Sequence, residues 1–300
     1  MRMTSPIFND SLPRTGAAPG RGVAVFLAIA FVPAWAWLLT GHFLLGLSAL
    51  NPLLQLPFAF APAVAAIIVR RRVTGEGFAD AGLALRLRES RPWYLIAWAG
   101  PFALVAAAVL VAVATGVEAP SFAEFDALAS GVPGWITLLI LALALLLLTP
   151  LYGGEELGWT GYLRPRLFPG RTHLSILATG LIWAVWHFPL AFVGYIEFGN
   201  VAFGLVSWTV SFILQEYILA WLWMRSGNIW VVSLAHCGNN MVFSLLTAHL
   251  LESRTNTVQL MWITSVALAA VVVWLAATGR LEAGPAGQPA AGGRGRPARR

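Results

Sequence analysis

Eight stretches of this chain are each apolar for about the length that crosses a bilayer, and this excludes almost every fold open to a soluble chain. They fall at about 22–40, 52–69, 93–115, 134–160, 174–195, 201–224, 228–250 and 257–278. Roughly 20 residues rising ~1.5 Å each cover a hydrocarbon core of about 30 Å, whereas a barrel strand spans it in about ten. Within that core a backbone can satisfy its own N–H and C=O groups only as a helix or a closed barrel. Runs this long predict helices. The fold class read from the sequence is all-α, a polytopic transmembrane helical bundle of about eight spanning helices. Composition agrees: 11% of residues are charged, against roughly 25% in soluble domains.

Arginine placement predicts the orientation, because cytoplasmic loops carry the excess of basic residues. The N-terminal segment holds Arg2, Arg14 and Arg21. The second connection holds Arg70, Arg71, Arg72, Arg86, Arg88 and Arg91; the fourth holds Arg164, Arg166 and Arg171; the sixth holds Arg225. The odd connections are neutral, acidic or balanced, with Glu118, Glu124, Asp126, Glu197, Glu252 and Arg254. Both termini are therefore expected in the cytoplasm. The organisation read from this is an unstructured cytoplasmic segment over 1–21, a transmembrane bundle over 22–278 and an unstructured basic tail over 279–300. A cleaved leader is not expected. The formal charge of +6 sits in loops and tail, so it reports topology and predicts no nucleic-acid partner. Cys237 is the single cysteine, which excludes an internal disulfide and a multi-thiolate metal site. The expected setting is a bacterial-type cell membrane, with the bilayer as partner.

Ionisable groups inside spanning helices cost several kcal/mol unless paired or wet, so each is a functional candidate. Here they are Glu155 and Glu156 in the fourth span, His187 in the fifth, Glu216 in the sixth and His236 in the seventh, followed by Asn239 and Asn240. Glu155 is ~13 Å in from Arg164, Glu216 ~13 Å from Arg225, and His236 ~12 Å from Asn228. His187 is ~18 Å beyond Ser175. The shared depth predicts one water-filled cavity open towards the cytoplasm, with an outer half almost free of polar groups. Glu155 and Glu156 point about 100° apart, so one can face the cavity while the other pairs with a neighbouring helix. His236 and Asn240 share a face at i, i+4, as do Trp183 and His187. Glu216 is expected to pair with a cavity residue or with Arg225.

These residue types suit hydrolysis of an amide. A carboxylate and an imidazole can hold and deprotonate a water. A second imidazole and a carboxamide can donate to a developing oxyanion, worth about 3 kcal/mol per donor. Glu155, His187 and His236 would equally make the three-protein-ligand set of a catalytic Zn2+ with water in the fourth position. Both versions stand at this level. No organic cofactor is expected.

The strings GGEELGWTGYLRPRL (153–167), LIWAVWHFPL (181–190) and SLAHCGNN (233–240) resemble the CAAX protease and bacteriocin-processing (CPBP) family, which includes the type II CAAX prenyl endopeptidases. The resemblance covers about 135–250. Its Glu-Glu-x-x-x-Arg, aromatic-x-x-x-His and His-x-x-x-Asn signatures fall on Glu155 and Glu156, on Trp183 with His187, and on His236 with Asn240. It implies an intramembrane endopeptidase in which Glu155 and His187 activate water, His236 and Asn240 stabilise the oxyanion and Glu156 supports the site. The implied substrate is a membrane-anchored or lipidated peptide, cut near the cytoplasmic face. Thr160 stands where the first motif has Arg, and Arg164 follows one turn later. An inactive member serving as a scaffold or immunity protein, and a proton-coupled transporter, are the competing readings.

Overall fold

The computed structural model describes residues 19–129 and 131–282. Among them, eight helices are long and apolar enough to cross a membrane, and the chain is an integral multi-pass membrane protein. Helix α1 spans Pro19–Phe43, α2 Pro52–Ile68 and α3 Arg91–Ala114. A short α4, Phe122–Asp126, precedes α5 at Gly134–Gly158. Then come α6 at Thr172–His187, α7 at Val201–Ser226, α8 at Ile229–Gly238, α9 at Leu245–Leu251 and α10 at Thr257–Ala277. The seventh span is composite, α8 and α9 being joined by a π-helical turn over Asn239–Ser244. Helix α1 begins three residues before its expected start because proline is tolerated in a first turn. The expected N-terminal segment and basic tail lie, beyond residues 19–21 and 279–282, outside the described residues.

Asparagine sets four of the starts. The side chains of Asn51, Asn200, Asn228 and Asn256 accept from the backbone N–H of Leu53, Phe203, Trp230 and Gln259. Each satisfies a donor that the first helical turn would otherwise leave bare in an apolar medium. Gly227 closes α7 with φ +55°, a conformation that glycine takes without strain.

The seventh span lies at the centre. Of its most apolar window 67% is buried, against 28% in α1, α3 and α10. Helix α8 packs on α5, α3 and α7, while α2 lies against α5, α6 against α7 and α10 against α7. Two glycines allow the closest approaches. A Cβ on Gly158 would stand 2.3 Å from Pro62 Cβ, and one on Gly180 would stand 3.0 Å from Ile213 Cα. Without lipid-excluded hydrophobic driving force, such small residues let backbones meet and maximise van der Waals contact.

The end of the bundle formed by the even connections is closed by ion pairs. Arg70, fully buried, donates to Asp80 at 2.8 and 3.0 Å and to the carbonyls of Gly77 and Gly161 at 2.5 and 2.7 Å. Arg166 pairs with Glu76 at 2.6 Å and lies 4.1 Å over the Tyr162 ring. Further along the second connection, Leu83 and Leu85 accept from Trp230 and Asn228 at the start of α8. Loop and helix ends are thus tied into one cap.

Candidate active site

Glu155 and Glu156 lie one turn before α5 passes into a π-helical turn over Trp159–Leu163. Turns of this kind shift the facing of residues and recur at functional sites. Both carboxylates are buried, and they diverge as their adjacency demands. Glu155 lines a cavity of about 510 Å³ and its Oε2 accepts from Trp183 Nε1 at 2.8 Å and, more weakly, from Trp159 Nε1 at 3.4 Å. Glu156 faces α8, where its Oε1 is 2.8 Å from His236 Nδ1.

The tautomers follow from the partners. A carboxylate only accepts, so His236 Nδ1 carries a proton and Nε2 is the nitrogen left to act. His187 Nδ1 is 2.9 Å from the carbonyl of Trp183, which likewise fixes the proton on Nδ1 and leaves Nε2 as an acceptor. Trp183 sits between the two imidazoles, edge-on to His187 at 5.8 Å and to His236 at 5.0 Å between ring centroids. Phe212 on α7 packs 4.5 Å from His187, an approach that Gly180 makes possible by drawing α6 onto α7.

The structure brings Glu155, His187, His236 and Asn240 to the walls of one cavity. Glu156 is not among its lining residues and acts through His236. Sequence reasoning missed three partners. Trp183, which its motif places on the face of His187 without a role of its own, is the donor that holds Glu155. Gln215 and Asn239 form a chain in which Asn239 Nδ2 donates to Gln215 Oε1 at 2.8 Å and to Asn240 Oδ1 at 3.2 Å. That bond uses the Asn240 carbonyl, and the Asn240 amide meets the Tyr152 hydroxyl, which also lines the cavity. The signal was present in the polar pair following His236 and in Gln215 beside Glu216, but their rotation about the helix axis was not.

Glu216 is a correction to the expected pairing with a cavity residue or with Arg225, since its partner is neither. It meets Arg164, whose Nε is 2.5 Å from Glu216 Oε1. Arg164 also donates from Nη2 to the Thr160 hydroxyl, and that hydroxyl donates to Glu156 Oε2 at 2.6 Å. A buried chain therefore runs Glu216, Arg164, Thr160, Glu156, His236. The guanidinium absent at position 160 reaches Glu156 through a threonine from one turn further along.

Two further expectations need correction. The cavity does not run towards the basic, even-numbered connections. From Glu155 and Trp183 its lining passes through Leu190, Tyr195 and Ile196, and through Ser244, Thr247 and Thr257, to Leu50. These belong to the first, fifth and seventh connections and the helix ends beside them, so the cavity reaches the odd end of the bundle. The helix halves on that side also carry polar groups, Ser211, Ser244, Thr247 and Thr264 among the lining. The shared depth of the carboxylates and imidazoles marks the cavity floor, not its mouth.

Among the described residues no three His, Cys, Asp or Glu side chains gather as a metal would require, while the Nδ1 bonds of His187 and His236 leave both Nε2 atoms open to a ligand.

Residues 135–242 match the family model described as type II CAAX prenyl endopeptidase Rce1-like. The match spans 108 of the 300 residues, and over that segment the chain is similar to this family. No curated protein matches the chain. The Rce1-like segment opens at the start of α5 and closes in the π-helical turn after α8, so it contains Glu155, Glu156, His187, His236 and Asn240. It also contains Thr160, Arg164, Gln215 and Glu216. Helices α1 to α4, α9 and α10 lie outside it and carry none of the sequence motifs. The Rce1-like family is a family of proteases, which supports a hydrolase.

Proposed function

We propose that this protein is an intramembrane endopeptidase that hydrolyses a peptide bond with a water activated by Glu155 and His187, without a metal. The carrying observation is the convergence on one cavity of Glu155, His187, His236 and Asn240, each oriented by a hydrogen bond to a neighbour that the reaction does not consume. The cavity's volume is within the ~300–1,000 Å³ usual for ligand sites.

Each group has a task that its bonding suits. A water held between Glu155 and the His187 Nε2 lone pair gives its proton to the Glu155 carboxylate as its oxygen attacks the scissile carbonyl carbon. The carbonyl π bond breaks and its electron pair goes to oxygen. Nε2–H of a doubly protonated His236 and the Asn240 amide donate to that oxyanion. Glu155 then passes the proton to the amide nitrogen, the oxyanion's electron pair re-forms the carbonyl, the C–N bond breaks and the amine leaves. General base catalysis of this kind supplies about 10²–10⁴-fold, and each oxyanion donor about 3 kcal/mol in a site shielded from water. Glu156 holds His236 for this role, and its charge is in turn met by the Thr160 hydroxyl and Arg164.

The chain from Arg164 to Glu156 also removes the main support for an inactive scaffold, which was the missing motif arginine. Proton-coupled transport keeps one observation in its favour: polar atoms continue from the odd mouth through the floor to Arg164. Purified protein in nanodiscs, given a panel of membrane-tethered peptides, separates the two. Cleavage that Glu155→Gln abolishes supports the peptidase. Proton flux across liposomes without any cleavage would support the transporter.

A further inference from the structure

The direction of the cavity and the charge on its two ends together assign a side of approach; this deepens the peptidase reading and rests on it. We infer that the substrate enters from the non-cytoplasmic face of the membrane, as an uncharged apolar stretch of an anchored polypeptide. Glu155 and His236 lie nearer the even end, and His187 ends α6 on the odd side of them. The lining then runs only towards the odd end, to Leu50, Tyr195, Ile196 and Thr257. The even end is shut by Arg70 with Asp80, Arg166 with Glu76 and the second connection bonded to the start of α8. A peptide arriving there would have to displace buried ion pairs.

Charge identifies the ends. Arg71, Arg72, Arg86, Arg88, Arg171 and Arg225 are exposed on the even connections. Glu118, Glu197 and Glu252 are exposed on the odd ones, where Arg254 is held by Glu124 at 2.5 Å. Exposed arginine marks the cytoplasmic side, so the mouth lies on the other.

The lining also selects chemistry. It includes no Arg and no Lys, and apart from Glu155, His187 and His236 it is neutral, with Leu56, Leu190, Ile196, Leu260 and Met261 along the approach. A free C-terminal carboxylate would find no Arg or Lys along the approach, and an unpaired buried charge is costly. An internal segment carries no such charge.

The test uses full-length protein in cell-derived membrane vesicles of known sidedness. The substrate is an alkyl-anchored, uncharged apolar peptide with a fluorophore and quencher, made as the C-terminal acid and as the amide. Right-side-out vesicles should cleave peptide added outside at least tenfold faster than inside-out vesicles, and acid and amide should agree within twofold. Faster cleavage by inside-out vesicles, or a tenfold loss with the amide, overturns the inference and leaves the peptidase standing. No cleavage by detergent-solubilised protein overturns the peptidase reading and this inference with it. An independent arm labels Glu197→Cys and Arg88→Cys with a membrane-impermeant maleimide on intact cells; the native Cys237 is buried. Glu197→Cys should label and Arg88→Cys should not, and the reverse pattern refutes the assigned side without reference to activity.

Discussion

The Thr160 hydroxyl stands 2.6 Å from Glu156 Oε2 and accepts a hydrogen bond from Arg164 in the same geometry. One side chain thereby couples a carboxylate beside the cavity to an arginine a turn away. Thr160→Val keeps the shape and removes the hydroxyl, leaving a buried acceptor and a buried donor unmet at a cost of about 1–3 kcal/mol each. Peptide cleavage should fall by about tenfold or more, with a lower Tm, and Thr160→Ser should restore both. Activity unchanged in Thr160→Val would show that Glu156 needs no such support.

Glu155→Gln should lower kcat by at least about 10²-fold, the lower bound for loss of a general base, while thermal unfolding stays within a few degrees of wild type. Trp183→Phe removes the 2.8 Å donor to Glu155 and keeps the ring between the imidazoles. It should cost about tenfold in kcat with little change in KM. A variant of Glu155 that cleaves normally would refute the mechanism.

Chelators should have little effect. With the proposed chemistry resting on carboxylate and imidazole, incubation with 1,10-phenanthroline or EDTA followed by dialysis is expected to leave activity within about twofold. Loss by tenfold that added Zn2+ restores would mean that the donors rearrange around a metal.

Arg164 and Glu216 are a fully buried pair, and removal of one partner leaves an uncompensated charge. Glu216→Met alone is expected to destabilise by about 3–5 kcal/mol. The double variant Arg164→Met with Glu216→Met should recover much of that stability, yet lose activity because Thr160 and Glu156 have lost the guanidinium. Unfolding in detergent and peptide cleavage, measured on the same samples, separate the two effects.

Acid sensitivity should trace partly to Asp80. Burial raises its carboxyl, but the Arg70 hydrogen bonds and charge, with the charge of Arg166, outweigh this and take it below its ordinary 3.8. A depressed folded pKa contributes stability above the unfolded value and loses it as pH falls through the folded one. The Tm gap between wild type and Asp80→Asn should therefore be largest near pH 6 and shrink below about pH 4, the ordinary carboxylate range. A gap that widens in acid would contradict the assignment.

Much of this architecture was legible because the bilayer permits so little. Only helices can pass through hydrocarbon on runs of this length, so eight apolar runs became eight spanning helices with starts displaced by a few residues. Glu155, Glu156, His187 and His236 stood out because ionisable groups are costly there, and their common depth followed from a rise of ~1.5 Å per residue. Motif spacing placed Asn240 beside His236, and both line the cavity.

What the sequence alone determined is therefore one-dimensional: which residues cross, how deep each polar group lies, and which neighbours share a face. The tertiary structure alone decided the rest. Glu156 meets His236 across 80 residues and Arg164 meets Glu216 across 52, pairings set by how each helix is rotated and where glycine lets two backbones close. The direction of the cavity was likewise invisible, since depth along one helix says where the floor is. Only the packing of six helices around it determines which end is left open.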